Sequence, residues 1–459
     1  MECQTVYLKV VLMKLLPDKE SEGPWSTAVL LLERWLGRHV RLDALMEDAG
    51  WEEGAQQDRA RCQHLLFGVV RNLGRIDAAL GALVVQTPRT RLRALLLVAG
   101  FELMEAGIEP AGEGRAAQIV HHAVAQAKLL LSPVEARMVN AVLRRLAGAP
   151  WLRELAPADT TEWARFFSHP AWVVRRWLTA FGAEATHSLL RWNQTPPPIY
   201  GRWRAAAGAE PGAPPPAWLH PTTWPGFHVV PAGHWAEVQP LLADGRLYLQ
   251  DPATVVAPEL LAPAAGECIL DLCAAPGGKS LVLADLLRAA AMAGAVAPGR
   301  VVAVDLPDEC RIGRLRENLA KIRGTEVALV QANVRQLSAA LLETYHLPEE
   351  YPAVLLDVPC SNTGVMRHRV DAKWRLREGD IARHAALQLT LLTAAARFVA
   401  PGGRLVYSTC SLEPEENEGV VEAFLRETGP RFTPGPARHC RPWEAGCDGA
   451  GAFLLRKNA

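Results

Sequence analysis

Two cysteines lie in polar loops that each follow an apolar run typical of a buried strand. Cys360 stands in the run Asp357-Val-Pro-Cys-Ser361, and Cys410 stands in Ser408-Thr-Cys-Ser411. A single free cysteine is more often a small core residue than a reactive one. Two in equivalent loops favour chemistry, because a thiolate is the natural nucleophile for covalent catalysis. The pair therefore predicts a nucleophilic site where two strands end.

A glycine-rich turn follows an earlier strand and opens a helix. It runs from Asp271 to Ser280 and contains two adjacent glycines followed by Lys279. Such glycines let the backbone approach a ligand closely, and the helix start offers free N–H groups. The next strand ends in Asp305, where a ribose would present its hydroxyls, although an ordinary tight turn and a helix cap are the alternative interpretations. Together the glycine-rich turn and Asp305 predict a nucleoside-containing cofactor.

A parallel sheet is the element that could bring these loops together. After Gln250, short β-rich runs alternate with helical stretches. The runs are residues 268–271, 301–305, 327–331, 353–357 and 404–408. This alternation predicts parallel β-α-β units with helices on both faces. Ligands bind at the carboxyl ends of such strands, so we expect the functional side chains to meet there.

The first third of the chain has a different texture. Between residues 25 and 146 apolar residues recur at helical spacing, as in Leu65, Leu66, Val69 and Val70, and predict a bundle of five to seven helices. Proline-rich stretches near 196–198 and 214–216 indicate a connector with a small mixed domain. We therefore predict four segments: an unassigned extension (1–24), a helical domain (25–150), connector helices with a small α/β subdomain (151–249) and a catalytic α/β domain (250–459).

Composition excludes several classes of protein. The 459 residues favour two to four domains, and 49 basic residues balance 49 acidic ones, so any nucleic-acid site must be a local patch. Nine cysteines without a C-x-x-C pair or a matching histidine pattern argue against a disulfide scaffold or a zinc ribbon, and we predict no metal site. We find no pattern of a signal peptide or membrane span, and expect a cytoplasmic protein with reduced thiols.

Basic residues cluster around an aromatic one just after the Cys360 loop. They are Arg367, Arg369, Lys373, Arg375 and Arg377, with Trp374 among them. Such a cluster is typical of a surface that tracks phosphates and stacks a base, although a solvated helix face is equally open. Smaller clusters in the helical block are Arg89, Arg91 and Arg93, and then Arg144 with Arg145. The cluster beside Cys360 is the strongest candidate for contacting a nucleic acid.

Three separated motifs resemble those of the RNA cytosine-5 methyltransferases that use S-adenosylmethionine. They are the run 271–280, the loop 357–361, and the run 408–411 with Pro414-Glu-Glu-Asn417. The helical block resembles a NusB-like RNA-binding domain, whose closing helix matches residues 139–145. The resemblance extends from about Trp25 onward. It implies a multidomain protein in which a NusB-like bundle precedes a small mixed α/β domain and a Rossmann-like methyltransferase domain. The implied partner is RNA, and 16S ribosomal RNA in particular. We also expect the protein to be a monomer that binds neither a membrane nor a metal ion.

The resemblance also implies roles for residues. In the family the cysteine of the Thr-Cys-Ser motif attacks C6 of the target cytosine and the cysteine of the Pro-Cys motif assists release, so Cys410 would be the nucleophile and Cys360 its assistant. Asp357 would lie beside methyl donor and base, supporting the ring around N3. The implied cofactor-binding residues are Cys273, Ala274, Ala275, Pro276, Gly277, Gly278, Lys279, Asp305, Asn333 and Asp357. The chemistry agrees, because C5 of cytosine is a poor nucleophile until a thiolate adds at C6.

The chain departs from the family pattern at three places. Asn333 stands where an aspartate is usual, residues 367–371 read Arg-His-Arg-Val-Asp in place of Arg-Arg-His-Pro-Asp, and the Asp-Gly-Phe motif is stretched over residues 448–453. Two alternatives stay open: the same reaction on transfer RNA, and a non-catalytic RNA-binding assembly factor. Both cysteines and Lys279 are present, which argues against the second. DNA methylation is less favoured, because those enzymes place the nucleophile in the Pro-Cys loop.

Overall fold

The computed structural model describes residues 23–51, 54–108, 113–149, 160–204, 212–294 and 297–459. The contacts within the chain define two compact units. The helical unit comprises the described residues up to Thr195 together with Arg369–Arg375, and the sheet unit comprises the described residues of Pro196–His368 together with Leu376–Ala459. None of the helices in these described ranges combines the length and apolar composition that a bilayer crossing needs.

Within the described residues, the helical unit contains a bundle of seven helices. They are α1 (Pro24–Arg38), α2 (Leu42–Asp48), α3 (Gln56–Arg71), α4 (Leu73–Gly81), α5 (Thr90–Ile108), α6 (Glu113–Leu130) and α7 (Pro133–Ala147). Their apolar faces form one core that includes fully buried Leu32, Trp35 and Leu65. At the start of α7, the Ser132 hydroxyl accepts a hydrogen bond from the Glu135 amide while the Glu135 carboxylate accepts one from the Ser132 amide. This reciprocal cap satisfies two N–H groups that a helix start leaves free.

Three further helices complete this unit: α8 (Thr160–Phe166), α9 (Ala171–Gln194) and, from a distant part of the chain, α15 (Ala372–Arg375). Val370 is fully buried in the core of the bundle, and the partly buried Trp374 packs against that core. The Trp374 indole donates to the carbonyl of Val70 at 2.9 Å. The chain therefore supplies core residues to the helical unit immediately after residue 368.

The sheet unit opens with a small antiparallel sheet. Its strands β1 (Tyr200–Trp203), β2 (His220–Pro221), β3 (Phe227–Val229) and β4 (Leu247–Leu249) lie in the order β2-β3-β1-β4, with α10 (Trp235–Ala243) before β4. A 3-10 turn (Pro252–Val255) and α11 (Val256–Leu261) lead from it into the large sheet.

Seven strands form the large sheet: β5 (Cys268–Leu272), β6 (Arg300–Asp305), β7 (Glu326–Gln331), β8 (Tyr351–Asp357), β9 (Val399–Thr409), β10 (Phe432–Cys440) and β11 (Ala450–Lys457). The order is β10-β11-β9-β8-β5-β6-β7, in which β5 to β9 pair in parallel and the last two strands are antiparallel. The remaining helices are α12 (Gly278–Gly294), α13 (Glu309–Leu319), α14 (Ala339–Thr344), α16 (Asp380–Ala395), α17 (Glu418–Thr428) and α18 (Pro442–Ala445). Two apolar clusters include buried residues from the strands of this sheet.

The register of the sheet decides which loops are neighbours. Asp357 at the end of β8 pairs with Ser408 near the end of β9. From β5 the chain adds β6 and β7 on one side, and it then returns to add β8 and β9 on the other side. The direction in which strands are added therefore reverses between β5 and β8. Ligands bind at such a switch point, so the loops after β5, β8 and β9 are the place to look for a site.

The predicted fold class is confirmed: a helical bundle, a small mixed segment and a mainly parallel sheet with helices. All five predicted strands are present, with ends that differ by a few residues. Strands β10 and β11 were not predicted. Pro434 and Pro436 interrupt β10, and proline is tolerated there because β10 is an edge strand. The four-segment division stays a prediction, and the extension 1–24 lies almost wholly outside the described residues.

Close packing in the helical bundle makes Gly68 of α3 sensitive to substitution. A Cβ there would lie 2.1 Å from Cζ of buried Phe101, so we expect Gly68→Ala to cost roughly 1–3 kcal/mol or more in the free energy of unfolding. Gly37 in α1 is exposed and meets nothing within 4 Å, so Gly37→Ala should stabilise by up to about 1 kcal/mol. Urea unfolding of both variants checks this. Equal effects would contradict the packing.

Candidate active site

The two cysteines of the strand-end loops meet. Sγ of Cys360, after β8, lies 3.0 Å from Sγ of Cys410, after β9. The Cys360 side chain is buried, whereas Cys410 is partly exposed. The contact with Cys410, followed by burial, raises the pKa of the Cys360 thiol well above its usual range. Cys360 is therefore a thiol that can donate to the Cys410 sulfur, and Cys410 is the sulfur that a substrate can reach.

The loop that carries Cys360 turns sharply at Asn362. Its backbone adopts the left-handed conformation (φ 61°), which asparagine tolerates better than most residues. In this position the Asn362 amide donates to the Cys360 carbonyl at 3.0 Å, and its Oδ1 lies 3.4 Å from Sγ of Cys410. Two residues on, a Cβ at Gly364 would lie 2.7 Å from the carbonyl oxygens of Cys410 and Gly449. The site thus needs glycine at 364 for the backbones to approach.

The fully buried carboxylate of Glu416 joins the two cysteine loops. From the Cys360 loop, it accepts hydrogen bonds from the Ser361 amide at 3.0 Å and from the Ser361 hydroxyl. From the Cys410 loop, it accepts one from the Ser411 hydroxyl. The Gln388 amide of α16 donates to it at 3.0 Å and is also 3.0 Å from the Pro359 carbonyl. We name this set, Glu416 with Ser361, Ser411 and Gln388, the glutamate clamp.

Asn417 secures the Cys410 loop. Its Oδ1 accepts from the Thr409 hydroxyl at 2.7 Å, and its amide donates to the carbonyls of Ser411 at 2.9 Å and Glu413 at 3.1 Å. All four side chains are buried. The hydrogen-bonding capacity of the Asn417 side chain is therefore used on the backbone and hydroxyl groups that surround the nucleophile candidate.

An ion pair lies beside the thiols. Nζ of Lys279, at the start of α12, is 2.7 Å from Oδ2 of Asp357, whose Oδ1 accepts from the Ser408 hydroxyl at 2.8 Å. Burial disfavours the charged ammonium, but the attraction of Asp357 and the hydrogen bond to it outweigh burial and, with a smaller contribution from Cys410, raise the pKa of Lys279. Lys279 therefore stays protonated and faces both the carboxylate and the nucleophile candidate.

A cavity of about 160 Å³ lies over the glycine-rich turn. Its lining is Tyr248, Leu249, Gln250, Thr254, Asp271, Cys273, Ala274, Ala275, Pro276, Gly278, Lys279 and Asp357. A Cβ at Gly278 would lie 3.3 Å from the Tyr248 ring, so glycine keeps this space open. The buried side-chain amide of Gln250 has no hydrogen-bond partner among the described residues. Two carboxylate residues, Asp271 and Asp357, also line the cavity. These groups fit a cofactor that carries a nucleoside and a positively charged end.

Three predicted cofactor residues, Gly277, Asp305 and Asn333, lie outside this lining. Both oxygens of Asp305 are engaged, since the carboxylate pairs with Arg311 at 2.8 Å and accepts from the amides of Ala275 and Leu306, each at 2.8 Å. Asn333 accepts from the Arg335 amide at 3.0 Å. A ribose at Asp305 would have to displace Arg311. The contacts of Asp305 and Asn333 with a cofactor stay predictions.

Two members of the basic cluster after Cys360, Lys373 and Arg367, are buried and do not belong to the predicted phosphate-binding surface. Nζ of Lys373 is buried and donates to the Arg71 carbonyl at 2.9 Å, and burial, followed by repulsion from Arg71, lowers its pKa well below the usual range. Arg367 is also buried and donates to the Pro196 carbonyl at 3.1 Å, while Arg375 pairs with Asp371 at 2.7 Å. Buried cationic side chains that donate to backbone carbonyls are not available to phosphate, so the prediction was wrong for Lys373 and Arg367, which are structural residues. Arg369 is exposed and stays a candidate.

Charge in the helical unit is also more balanced than its sequence indicates. Arg89, Arg91 and Arg93 pair with Glu135, Glu33 and Asp77 respectively. Arg144 and Arg145 of α7 are exposed, and Arg144 donates to Asn140 at 3.1 Å. Arg144 and Asn140 line a groove of about 440 Å³ that also includes His121. The α7 arginines are thus the stronger candidates for RNA contact in this unit.

A mainly parallel sheet with a glycine-rich turn and a cavity at its switch point defines a Rossmann-like α/β domain that binds a ligand at its strand ends. Comparison with known families then identifies the class of enzyme as a methyltransferase. Residues 258–433 match the model of the 16S rRNA methyltransferase RsmB/F family, and residues 26–148 match the NusB family. The chain belongs to the RsmB/F family of rRNA methyltransferases. This membership confirms the predicted cofactor, S-adenosylmethionine.

Named relatives and solved structures agree with this assignment. The chain is 32% identical to "Ribosomal RNA small subunit methyltransferase B" of Salmonella newport over 82% of this chain and 83% of that protein. The protein of the same name from Klebsiella pneumoniae gives the same identity and coverage. The crystal structure of PH0851 superposes with a TM-score of 0.71 at 23% identity, over 95% of this chain and 99% of that one. A methyltransferase homologue from Pyrococcus horikoshii gives a TM-score of 0.52 at 24% identity, over 66% and 100%. These two structures support the fold.

Sequence reasoning missed the glutamate clamp and Asn362. Glu416 belongs to the quoted Pro414–Asn417 run, but Glu413, Glu415 and Glu416 look alike in sequence, and only the fold shows which carboxylate reaches both cysteine loops. Gln388 is an ordinary polar residue within a helix. No local signal distinguishes it.

The glutamate clamp makes the approach of the two thiols depend on Glu416. We expect Glu416→Ala to destabilise the protein, because each buried donor left without an acceptor costs about 1–3 kcal/mol, and Glu416→Gln to have a smaller effect. In both variants, diamide should form the Cys360–Cys410 disulfide more slowly than in the wild type. Urea unfolding and peptide mass mapping measure the two effects. Exposed Glu422 of α17 provides the control Glu422→Ala. Wild-type stability and disulfide rate in Glu416→Ala would refute the clamp.

Proposed function

We propose that this protein transfers a methyl group from S-adenosylmethionine to C5 of a cytosine in 16S ribosomal RNA, through a covalent adduct with Cys410. The observation that carries the proposal is the 3.0 Å approach of the two thiols beside Lys279 and Asp357, at the edge of the cofactor cavity. The relatives named above favour small-subunit ribosomal RNA over transfer RNA. An enzyme of this kind acts where ribosomes are assembled, in the cytoplasm, and we expect a monomer.

Cys410 has the position that a nucleophile needs. It lines a cavity of about 50 Å³ together with Lys279, Thr409 and Gly449, whereas Cys360 does not. Attack forms a bond between sulfur and C6 and moves the electron pair of the C5–C6 double bond to C5. That carbon then accepts the methyl group. Lys279 carries a positive charge that interacts with the Cys410 sulfur.

When bound, S-adenosylmethionine supplies an electrophilic methyl group. Asp357 accepts from Lys279 and Ser408, so it is held where it can support the ring around N3. After transfer, the C5 proton passes to solvent water, its bonding electrons re-form the C5–C6 double bond, and the Cys410 sulfur is expelled. Cys360, which its raised pKa keeps protonated, can donate to that departing sulfur. The two cysteines therefore have separate roles, attack and release.

Substitution of each cysteine separates these roles. Cys410→Ala should abolish methyl transfer without trapping RNA, because no sulfur can add to C6. Cys360→Ala should attack and methylate once, and then stall with protein and RNA joined. With substrate RNA and cofactor, the second variant should give a slow band on a denaturing gel that ribonuclease removes.

Exposed Cys310 of α13 provides the control, and Cys310→Ala should behave as the wild type. A trapped complex from Cys410→Ala and none from Cys360→Ala would reverse the two roles. No complex from either variant would argue against covalent chemistry.

RNA affinity from the helical unit should depend on the α7 arginines. Replacing Arg144 and Arg145 by alanine removes two exposed charges, so binding should weaken and the slope of log K against log salt should fall by about one for each lost phosphate contact. Arg89→Ala, which removes an arginine already paired with Glu135, provides the control and should change the slope less. Filter binding across salt concentrations measures this. An unchanged slope in the double variant would exclude these arginines from the RNA surface.

A further inference from the structure

Three potential metal ligands meet at one point of the sheet unit. Asp251 precedes the 3-10 turn, His368 follows the Cys360 loop, and Asp448 precedes β11. Each offers one ligand atom, and these atoms all lie within 4.8 Å of one another. The three residues are far apart in sequence, so no spacing motif reveals them. We call them the Asp251–His368–Asp448 cluster.

Two carboxylate oxygens in this cluster lack a hydrogen-bond partner among the described residues. Oδ1 of Asp251 accepts from the amides of Ala253 at 2.9 Å and Asp448 at 3.0 Å, but its Oδ2 accepts from none. The Asp448 side chain is only 6% exposed; its Oδ2 lies 2.8 Å from Nδ1 of His368, and its Oδ1 is unpartnered. Unsatisfied carboxylate oxygens at a buried position are costly, and a bound cation removes that cost.

The charges around the cluster also favour a cation. The carboxylates of Asp251 and Asp448 lie close together and repel each other. Arg367 is the neighbouring permanent cation, and it is committed in part to the Pro196 carbonyl. His368 can supply positive charge only when it is protonated. A divalent ion would neutralise both carboxylates while leaving the imidazole neutral.

We propose that Asp251, His368 and Asp448 form a binding site for a divalent transition-metal ion of the Mn²⁺ or Zn²⁺ type. Two carboxylates suit an ion that prefers oxygen, and one imidazole favours a transition metal over Mg²⁺ or Ca²⁺. Three protein ligands leave coordination positions for water. Asp251 and Asp448 also line the cavity that contains Cys410, so the ion would lie next to the nucleophile without taking part in methyl transfer.

Titration of the full chain with Mn²⁺, followed by electron paramagnetic resonance, tests the site. We expect one ion per chain, with nitrogen coupling from an imidazole ligand. His368→Gln should abolish that coupling. It should also weaken Mn²⁺ binding by ~10–100-fold or more, since loss of a residue that only supports a metal ligand already has an effect of that size. Asp448→Asn should weaken binding similarly. The His368 side chain is 36% exposed, so its replacement should leave the fold intact, which circular dichroism verifies.

The controls are His439→Gln and Cys410→Ser, and both should bind Mn²⁺ as the wild type does. His439 is a histidine of the same unit that lies 3.5 Å from Glu418. No binding to the wild type would overturn the proposal, as would wild-type affinity in folded His368→Gln. Loss of binding in Cys410→Ser would place the ion on the catalytic thiols and would also overturn it. Neither RNA nor cofactor is present, so the result is independent of the proposed function.

Discussion

The hydrogen bonds that the buried Glu416 carboxylate accepts are the constraint on which the site depends. Parallel pairing of β8 with β9 brings two strand ends side by side, but the loops beyond them are not held by the sheet. Adjacent strands lie about 4.8 Å apart, whereas the thiols are 3.0 Å apart. A single carboxylate that accepts from Ser361 and Ser411 holds both loops to a common position. Because its donors are buried, the glutamate clamp cannot exchange them for water without cost.

Charged side chains lie next to the cysteine loops that the glutamate clamp positions. Asp271 and Asp357 line the cavity over the glycine-rich turn, and Lys279 is the positive group among its lining residues. Its bond to Asp357 fixes the ammonium at a position where it also interacts with Cys410. The neighbouring Cys360 is held as a neutral thiol by its contact with Cys410 and by burial. Two cysteines of the same chemistry thus occupy different electrostatic positions, and this difference supports separate roles for them.

Much of this arrangement could be predicted from sequence because the relevant patterns are local. Apolar runs followed by polar loops placed β5, β6 and β8 and the two cysteines correctly, since a buried parallel strand requires such a run. Burial of charged residues could not be predicted in this way. Lys373 and Arg367 read as surface cations, but both are buried and bonded to backbone carbonyls. Contacts between distant residues, such as those of Glu416 and Gln388, depend on the fold and leave no local pattern.

Trapping the wild-type protein on RNA that contains 5-fluorocytosine tests the central claim most directly. Fluorine at C5 cannot leave as a proton does, so the adduct persists after methyl transfer. Mass spectrometry of the digested complex then identifies the residue that carries the nucleotide. We predict a methylated fluorocytosine attached to the peptide that contains Cys410, with Cys360 unmodified. Attachment at Cys360, or methylation of ordinary cytosine RNA with no adduct on the fluorinated one, would contradict the account.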